Sequence, residues 1–118
     1  MGSRILIAED NAGFMKVLKD EFLTAGYEVV TADNGVDAIL RFMEDKIDIV
    51  LMDVIMPRLS GIDTLRVMRK HDPDVKVIVF SGSPSEAMRR EAMSLGVLQF
   101  VVKPFSVKGL LDRMAEIV

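Results

Sequence analysis

Short apolar runs alternate with longer amphipathic segments along this chain. The runs are nearly continuous and do not alternate between apolar and polar residues, which is typical of strands buried on both faces of a parallel sheet. The predicted strands are 4–8, 28–32, 49–52, 75–80 and 98–102. The third run stops at a carboxylate, Asp53, and the following Pro57 and Gly61 predict a loop that leads into a helix.

Between most of these runs, apolar residues recur at three- and four-residue spacing, which predicts amphipathic helices. The apolar positions are Phe14, Val17, Leu18, Phe22 and Ala25 in the first helix, Val36, Ile39, Leu40 and Met43 in the second, Ile62, Leu65 and Met68 in the third, and Leu110, Leu111, Met114 and Ile117 in the last. The remaining helix, after the fourth strand, is predicted from its start signal.

That start signal is the segment 83–86, in which Ser83 is the predicted N-cap, Pro84 the first helical residue and Glu86 the residue three after the cap. The other predicted N-caps are Ser60 and Ser106, and the predicted stops are Gly26 and Gly96. Strands and helices therefore alternate, and connections this short require parallel pairing through crossover helices. The sequence predicts one α/β domain over residues 1–118.

Composition excludes several classes of function. The net charge of -3 and the pI near 5.1 argue against a nucleic-acid-binding surface, which usually carries a basic stripe. The absence of Cys excludes a disulfide framework and zinc sites of the Cys/His type. The N-terminus carries no apolar signal segment, and no apolar run approaches the roughly 20 residues that cross a bilayer. We expect a cytoplasmic protein with no membrane or nucleic-acid partner.

Polar residues follow four of the five predicted strands: Glu9 and Asp10, Asp53, Ser81, and Lys103. The carboxyl ends of parallel strands lie at one edge of the sheet, where α/β proteins bind ligands. Three carboxylates brought together there need a cation between them, and oxygen ligands alone suit Mg²⁺.

We assign Asp10 and Asp53 as direct ligands of that Mg²⁺ and Glu9 as a ligand through water. The backbone carbonyl of Ile55 is within reach as a third protein ligand. Taken alone, Asp53 is equally explained as a residue that ends a strand and turns the chain.

Lys103 cannot bind a metal cation, because it is itself positively charged. Its place beside the acids therefore indicates that an anion binds there later. A phosphoryl group on Asp53 would satisfy all parts, with Mg²⁺ on one oxygen, Lys103 on another and the Ser81 hydroxyl on a third. Asp53 would be the nucleophile. Lys103 also fits a salt bridge in the resting state, and Pro104 is either a plain strand-ending proline or part of a cis Lys-Pro bond that aims Lys103 into the site.

The chain resembles a response-regulator receiver domain of two-component signalling, similar to the chemotaxis receivers, over nearly all of residues 4–117. The resemblance rests on Glu9-Asp10, on Asp53 followed by Met56-Pro57 and Gly61, on Ser81, and on Lys103-Pro104-Phe105. It implies a flavodoxin-like doubly wound fold, (βα)5, with a parallel sheet of order 2-1-3-4-5.

The resemblance also implies the function. Asp53 would take a phosphoryl group from a histidine kinase or histidine phosphotransfer protein, with Mg²⁺ required, and Ser81 and Lys103 would read the product. The domain would not be an enzyme but a phosphoacceptor that assists its own phosphoryl transfer and dephosphorylation. Phe100 falls at the position of the family's switch aromatic and equally suits the core. The switch would repack the face of the fourth helix, fifth strand and last helix toward a downstream effector or output domain.

Two positions depart from the common pattern of the family. Glu9 stands where many relatives carry Asp, and Ile55 stands where many carry a polar residue that influences the attacking water. We therefore expect slow hydrolysis of phosphorylated Asp53. The family often dimerises on phosphorylation, but the sequence does not indicate whether this chain does, nor which kinase and output it serves.

Three other functions compete with this one. A Mg²⁺-dependent aspartyl phosphohydrolase would need a second Asp where Ile55 stands. A flavin site is disfavoured because the loop Glu9-Asp10-Asn11 is acidic where a phosphate cradle needs donors. A receiver-like interaction module that is never phosphorylated remains an alternative, although every residue that phosphorylation needs is present.

Overall fold

The computed structural model of the chain describes residues 3–117; Met1, Gly2 and Val118, which the predicted 1–118 domain includes, lie outside the described residues. Strands and helices alternate throughout the described part. The strands are β1 (Arg4–Ala8), β2 (Glu28–Ala32), β3 (Ile49–Asp53), β4 (Val77–Ser81) and β5 (Gln99–Val102). The helices are α1 (Ala12–Thr24), α2 (Gly35–Glu44), α3 (Gly61–His71), α4 (Glu86–Ser94) and α5 (Val107–Ile117).

The five strands form one parallel sheet of order β2-β1-β3-β4-β5, which confirms the predicted topology. In the register of the central strands, Ala8 pairs with Met52 and Asp53 pairs with Phe80. The carboxyl ends of β1, β3 and β4 are thereby level with one another, and this alignment places the predicted site residues along one edge.

Helices cover both faces of the sheet, as expected for a doubly wound fold. On one face, α1 and α5 pack against the sheet through Leu18, Phe22, Leu110 and Met114. On the other face, α2, α3 and α4 contribute a second apolar cluster. Alternate residues of β3 enter the two clusters, since Ile49 belongs to the first and Val50 to the second. This two-sided burial explains why the strands are unbroken apolar runs.

The predicted helix caps and stops are correct except for the N-cap of α4. Ser60 and Ser106 accept hydrogen bonds from the first turns of α3 and α5, and Gly26 and Gly96 follow α1 and α4 with φ of 97° and 81°. The prediction that Ser83 caps α4 is wrong.

Ser85 caps α4, because its hydroxyl accepts a hydrogen bond from the Met88 N–H at 3.1 Å. The N–H of Ser83 instead donates to the Ser81 hydroxyl at 3.1 Å, which holds Ser83 in the loop after β4. Two serines spaced two residues apart both fit a capping position in the sequence, and in the structure Ser85 is the one that accepts the capping hydrogen bond.

The strand limits shift slightly from the prediction. β4 begins at Val77, because Val75 lies in a turn in which its N–H donates to the Asp72 carbonyl at 3.2 Å. β5 begins at Gln99, one residue after the exposed Leu98. β3 extends one residue further than predicted and includes Asp53.

Some residues of the predicted apolar helix faces do not reach the core. Val17 is 50% exposed, Leu40 52% and Met43 56%, and Ala25 is also exposed. In α2 the sheet is contacted instead through the buried Ala38 and Phe42. Helical spacing identifies a wide stripe of apolar residues on the helix surface, but the sheet covers only the residues at the centre of that stripe. Within residues 3–117, no helix is both long and apolar enough to span a bilayer.

Candidate functional site

Asp53 is the last residue of β3 and is only 6% exposed. Its Oδ1 accepts a hydrogen bond from the Ile55 N–H at 3.0 Å, which turns the backbone after the strand. Its Oδ2 accepts a hydrogen bond from the Lys103 ammonium, also at 3.0 Å. The carboxylate is therefore held by one backbone donor and one cation at the edge of the sheet.

Gly61 allows the loop after Asp53 to fold back against the end of β3. The Gly61 N–H donates to the Val54 carbonyl at 2.7 Å. A Cβ at position 61 would lie 2.3 Å from the Asp53 carbonyl oxygen and 2.7 Å from Val54 Cα. Only glycine permits this approach, so the resemblance motif residue Gly61 serves to seat the start of α3 beside the site.

Glu9 lies in the loop after β1 and is 1% exposed. Its backbone N–H donates to the Ala32 carbonyl at 3.0 Å, and its Oε2 accepts a hydrogen bond from the Asn11 N–H at 3.1 Å. Asn11 in turn caps α1, since its Oδ1 accepts a hydrogen bond from the Phe14 N–H at 2.9 Å. Glu9 is thus fixed by the same short loop that starts the helix.

Three carboxylates converge at this edge, as predicted. Oxygen atoms of Glu9, Asp10 and Asp53 lie within 4.8 Å of one another, with Asp10 exposed and the other two buried. This set consists of oxygen donors and includes one solvent-accessible carboxylate, which is the chemistry that Mg²⁺ prefers. The residues therefore fit a hard divalent cation.

Lys103 bridges two of the three carboxylates. Its ammonium donates to Glu9 Oε1 at 2.7 Å and to Asp53 Oδ2 at 3.0 Å, and its side chain is 25% exposed. Its backbone N–H donates to the Ser81 carbonyl at 2.8 Å, which ties the ends of β4 and β5 together. The Lys103–Pro104 peptide bond is cis, one of the two arrangements considered from the sequence.

The charges in this group are interdependent. Burial raises the pKa of Glu9, although the hydrogen bonds from Lys103 and from the Asn11 N–H act in the opposite direction. Partial burial acts to lower the pKa of Lys103, but the hydrogen bonds to Glu9 and Asp53 outweigh it, and the pKa is raised. Lys103 is therefore an ammonium ion at neutral pH and partly neutralises the acidic cluster.

Ser81, Phe100 and Ile55 lie around this centre. Ser81 is fully buried at the end of β4, and among the described residues its hydroxyl is engaged with the Ser83 N–H and not with Lys103 or the carboxylates. Phe100 is partly buried and packs against the apolar cluster beneath α2, α3 and α4. The side chain of Ile55 is 56% exposed. The role of the Ile55 backbone carbonyl as a Mg²⁺ ligand stays a prediction.

Phe14 is the neighbour of Lys103 that the sequence interpretation missed. The Lys103 Nζ lies over the Phe14 ring, 4.8 Å from its centroid, and 5.0 Å from the centroid of Phe80. Helical spacing assigned Phe14 only to the apolar face of α1. The one sequence feature that places Phe14 near the site is its position one turn after the acidic loop. The spacing of apolar residues along a helix does not show which distant side chain the ring contacts.

Comparisons with known proteins agree with this arrangement. Residues 5–115 match the family model of the response regulator receiver domain. The chain is 41% identical over 118 residues to the chemotaxis protein CheY of Thermotoga maritima, with 99% of this chain and 98% of that protein covered. It is 34% identical to the probable transcriptional regulator ycf27 of Pyropia yezoensis, covering 97% of this chain but 46% of that protein.

A solved structure shows the same fold. The CheY-like response regulator receiver domain protein of Methanospirillum hungatei superposes with a TM-score of 0.94 over 98% of this chain and 93% of that chain. The two sequences are 24% identical, so this likeness is one of fold.

Proposed function

This chain belongs to the response regulator receiver domain family, and on that premise we propose that it is a phosphorylation-dependent switch whose phosphoacceptor is Asp53. Members of the family are signalling switches and not enzymes in the ordinary sense. We propose that residues 1–118 act as one receiver domain that assists its own phosphoryl transfer and dephosphorylation. The family match over 5–115 supports this extent.

One observation carries the proposal: the Lys103 ammonium lies within hydrogen-bond distance of both Glu9 and Asp53, in a cluster with Asp10. The same edge offers Asp53 as a nucleophile, Glu9 and Asp10 as further oxygen donors for a metal ion, and the Lys103 ammonium as a partner for a phosphoryl oxygen.

The proposed reaction is a phosphoryl transfer from a histidine. An oxygen of the Asp53 carboxylate attacks phosphorus on the phosphohistidine of a histidine kinase or histidine phosphotransfer protein. The new P–O bond forms as the P–N bond breaks, and the electron pair of that bond returns to the imidazole nitrogen. The Ile55 N–H, which donates to Asp53 Oδ1 at 3.0 Å, holds the carboxylate in place for the attack.

The acidic cluster fits Mg²⁺, which receiver domains generally bind at an acidic pocket. Asp10 and Asp53 would be direct ligands, Glu9 a ligand through water, and the Ile55 carbonyl a third protein ligand. When bound, the metal would neutralise charge on the transferring phosphoryl group. Because Lys103 contacts Glu9 and Asp53 before phosphorylation, it has to turn toward the phosphoryl oxygen afterwards.

Ser81 and Lys103 would report the modification to the rest of the domain. The Ser81 hydroxyl would leave the Ser83 N–H for a phosphoryl oxygen, and Phe100 would occupy the space that this movement opens. The partly buried position of the Phe100 ring, against the apolar cluster, supports such an inward movement. The face formed by α4, β5 and α5 would then bind a downstream effector, an output domain or a second copy of the chain. These partners and the cytoplasm as their compartment are proposed by analogy with the family.

Two alternatives predict different chemistry. An interaction module that is never phosphorylated would keep Lys103 permanently on the two carboxylates. A Mg²⁺-dependent aspartyl phosphohydrolase would need a general acid near Asp53, where the exposed side chain is the apolar Ile55. The second alternative is therefore the weaker one.

The deciding experiment is intact-mass measurement after incubation with acetyl phosphate and Mg²⁺. We expect one phosphoryl adduct, which is lost in Asp53→Asn and in the presence of EDTA. Asp112→Asn removes an exposed carboxylate from α5 and should leave the adduct unchanged. An adduct that persists in Asp53→Asn would refute the assignment of the phosphoacceptor, and no adduct under any condition would favour the unphosphorylated module.

A further inference from the structure

Three phenylalanines form an aromatic group next to Lys103. Phe14 of α1 packs edge to face against Phe80 of β4 and against Phe105, with ring centroids 5.8 and 5.6 Å apart. Phe80 and Phe105 are 5.7 Å apart, which closes the group. The ammonium of Lys103 lies over two of these rings, those of Phe14 and Phe80.

The two rings differ in what else they do. Phe80 is fully buried in β4 and belongs to the apolar cluster under α1 and α5. Phe14 is only partly buried, and its backbone N–H is bound by Asn11 of the loop that fixes Glu9. Phe14 therefore contacts the acidic loop through its backbone N–H and the Lys103 ammonium through its ring.

A cation over an aromatic face is attracted by the ring quadrupole, which is negative at the face, and the attraction grows when water is excluded. Lysine also has a long flexible stem, and holding it in one geometry costs entropy. The rings contact the ammonium from the apolar side while Glu9 and Asp53 contact it from the polar side. Together these contacts hold the ammonium beside the carboxylate that would accept the phosphoryl group.

We propose that Phe14 is a positioning residue of the phosphoryl-transfer site, acting through the face of its ring on the Lys103 ammonium. The inference rests on the proposed function, because the reaction that it aids is phosphorylation of Asp53. Phe14 keeps the ammonium beside the carboxylates before transfer and within reach of a phosphoryl oxygen after it.

The test is a series of fluorinated phenylalanines at position 14, from one to three ring fluorines. Fluorine withdraws charge from the ring face and changes its shape little. We expect the unfolding equilibrium, measured in urea, to shift toward the unfolded state by about two- to fivefold across the series. The same series in Lys103→Met should show no trend, because the cation is gone. This readout does not require phosphorylation.

The second readout is the rate of phosphorylation by acetyl phosphate with Mg²⁺. We expect the maximal rate to fall with each added fluorine at position 14, while fluorination of Phe105 leaves it unchanged. Phe105 is the matched control, since it belongs to the same aromatic group and, among the described residues, does not face the ammonium.

The outcomes separate this inference from the proposed function. Unfolding that does not respond to fluorination, or that responds equally in Lys103→Met, overturns the ring–ammonium contact. A response in unfolding with an unchanged phosphorylation rate overturns the positioning role. If the wild-type chain is not phosphorylated at all, the proposed function and the positioning role both fail, and the unfolding series still decides the contact.

Discussion

The Lys103 ammonium lies 2.7 Å from Glu9 Oε1, although the two residues are 94 positions apart in the chain. This hydrogen bond places a positive charge among the carboxylates that we assign to Mg²⁺. The two cations therefore repel each other and compete for the same oxygens. The resting contact of Lys103 and the binding of metal are therefore opposed, and the affinity for Mg²⁺ should depend on the charge of Lys103.

Removal of the lysine charge should strengthen metal binding. We expect Lys103→Met to raise the affinity for Mg²⁺ by about threefold to tenfold, which corresponds to about 1 kcal/mol of repulsion in a partly exposed site. Isothermal titration calorimetry measures this directly. Lys70→Met removes an exposed charge on α3 and corrects for the change in net charge. Weaker binding in Lys103→Met would show that the lysine organises the carboxylates for the metal.

Ile55 should make the phosphorylated form long-lived. Its exposed apolar side chain lies two residues after Asp53 and has no polar group to orient an attacking water. We expect a phosphoryl half-life of minutes or longer in wild type and a severalfold shorter one in Ile55→Asn, followed by intact mass after removal of acetyl phosphate. Ile55→Leu should resemble wild type. A wild-type half-life of seconds would reject the prediction.

Gly61 should not tolerate a side chain. A Cβ there would lie 2.3 Å from the Asp53 carbonyl oxygen, so Gly61→Ala should lower the free energy of unfolding by about 1–3 kcal/mol through overpacking. The control is Gly13→Ala within α1, where a Cβ would be 3.4 Å from Asn11 Oδ1 and helix propensity favours alanine. Urea unfolding compares the two. Equal effects at both positions would contradict the packing argument.

Arg69 should stabilise the chain more than its neighbour Arg66. The Arg69 guanidinium donates to the carbonyls of Leu95 at 2.8 Å and Gly96 at 2.7 Å, and also to that of Val75, which joins α3 to the segments before β4 and β5. Arg69→Met should lower the free energy of unfolding by about 1–3 kcal/mol because these carbonyls lose their donors.

Arg66 supplies the matched comparison, since it pairs with the exposed acids Asp63 and Glu91. An exposed pair contributes little, so Arg66→Met should cost less than about 1 kcal/mol. Thermal or urea unfolding of both variants measures the difference. A larger loss at Arg66 than at Arg69 would mean that the ion pair, and not the carbonyl contacts, joins α3 to α4.

Sequence reasoning predicted the alternation of strands and helices and the edge at which Glu9, Asp10, Asp53 and Lys103 meet. It was wrong where two local solutions were equally good: Ser83 and Ser85 both fit an N-cap, and the structure places the capping hydrogen bond on Ser85. The order of the strands came from the resemblance to a family and not from the pattern itself, because hydrophobic spacing does not encode which strands are neighbours.

The sequence by itself determined the class of fold and the chemistry at the edge of the sheet. Unbroken apolar runs bury both faces of a strand, short connections through helices require parallel pairing, and parallel strands end on one side. Only the tertiary structure decided that Lys103 lies between Glu9 and Asp53 and over the ring of Phe14. The physical reason is that these contacts depend on the register of separate strands and on side-chain rotamers, which become fixed only when distant segments pack together.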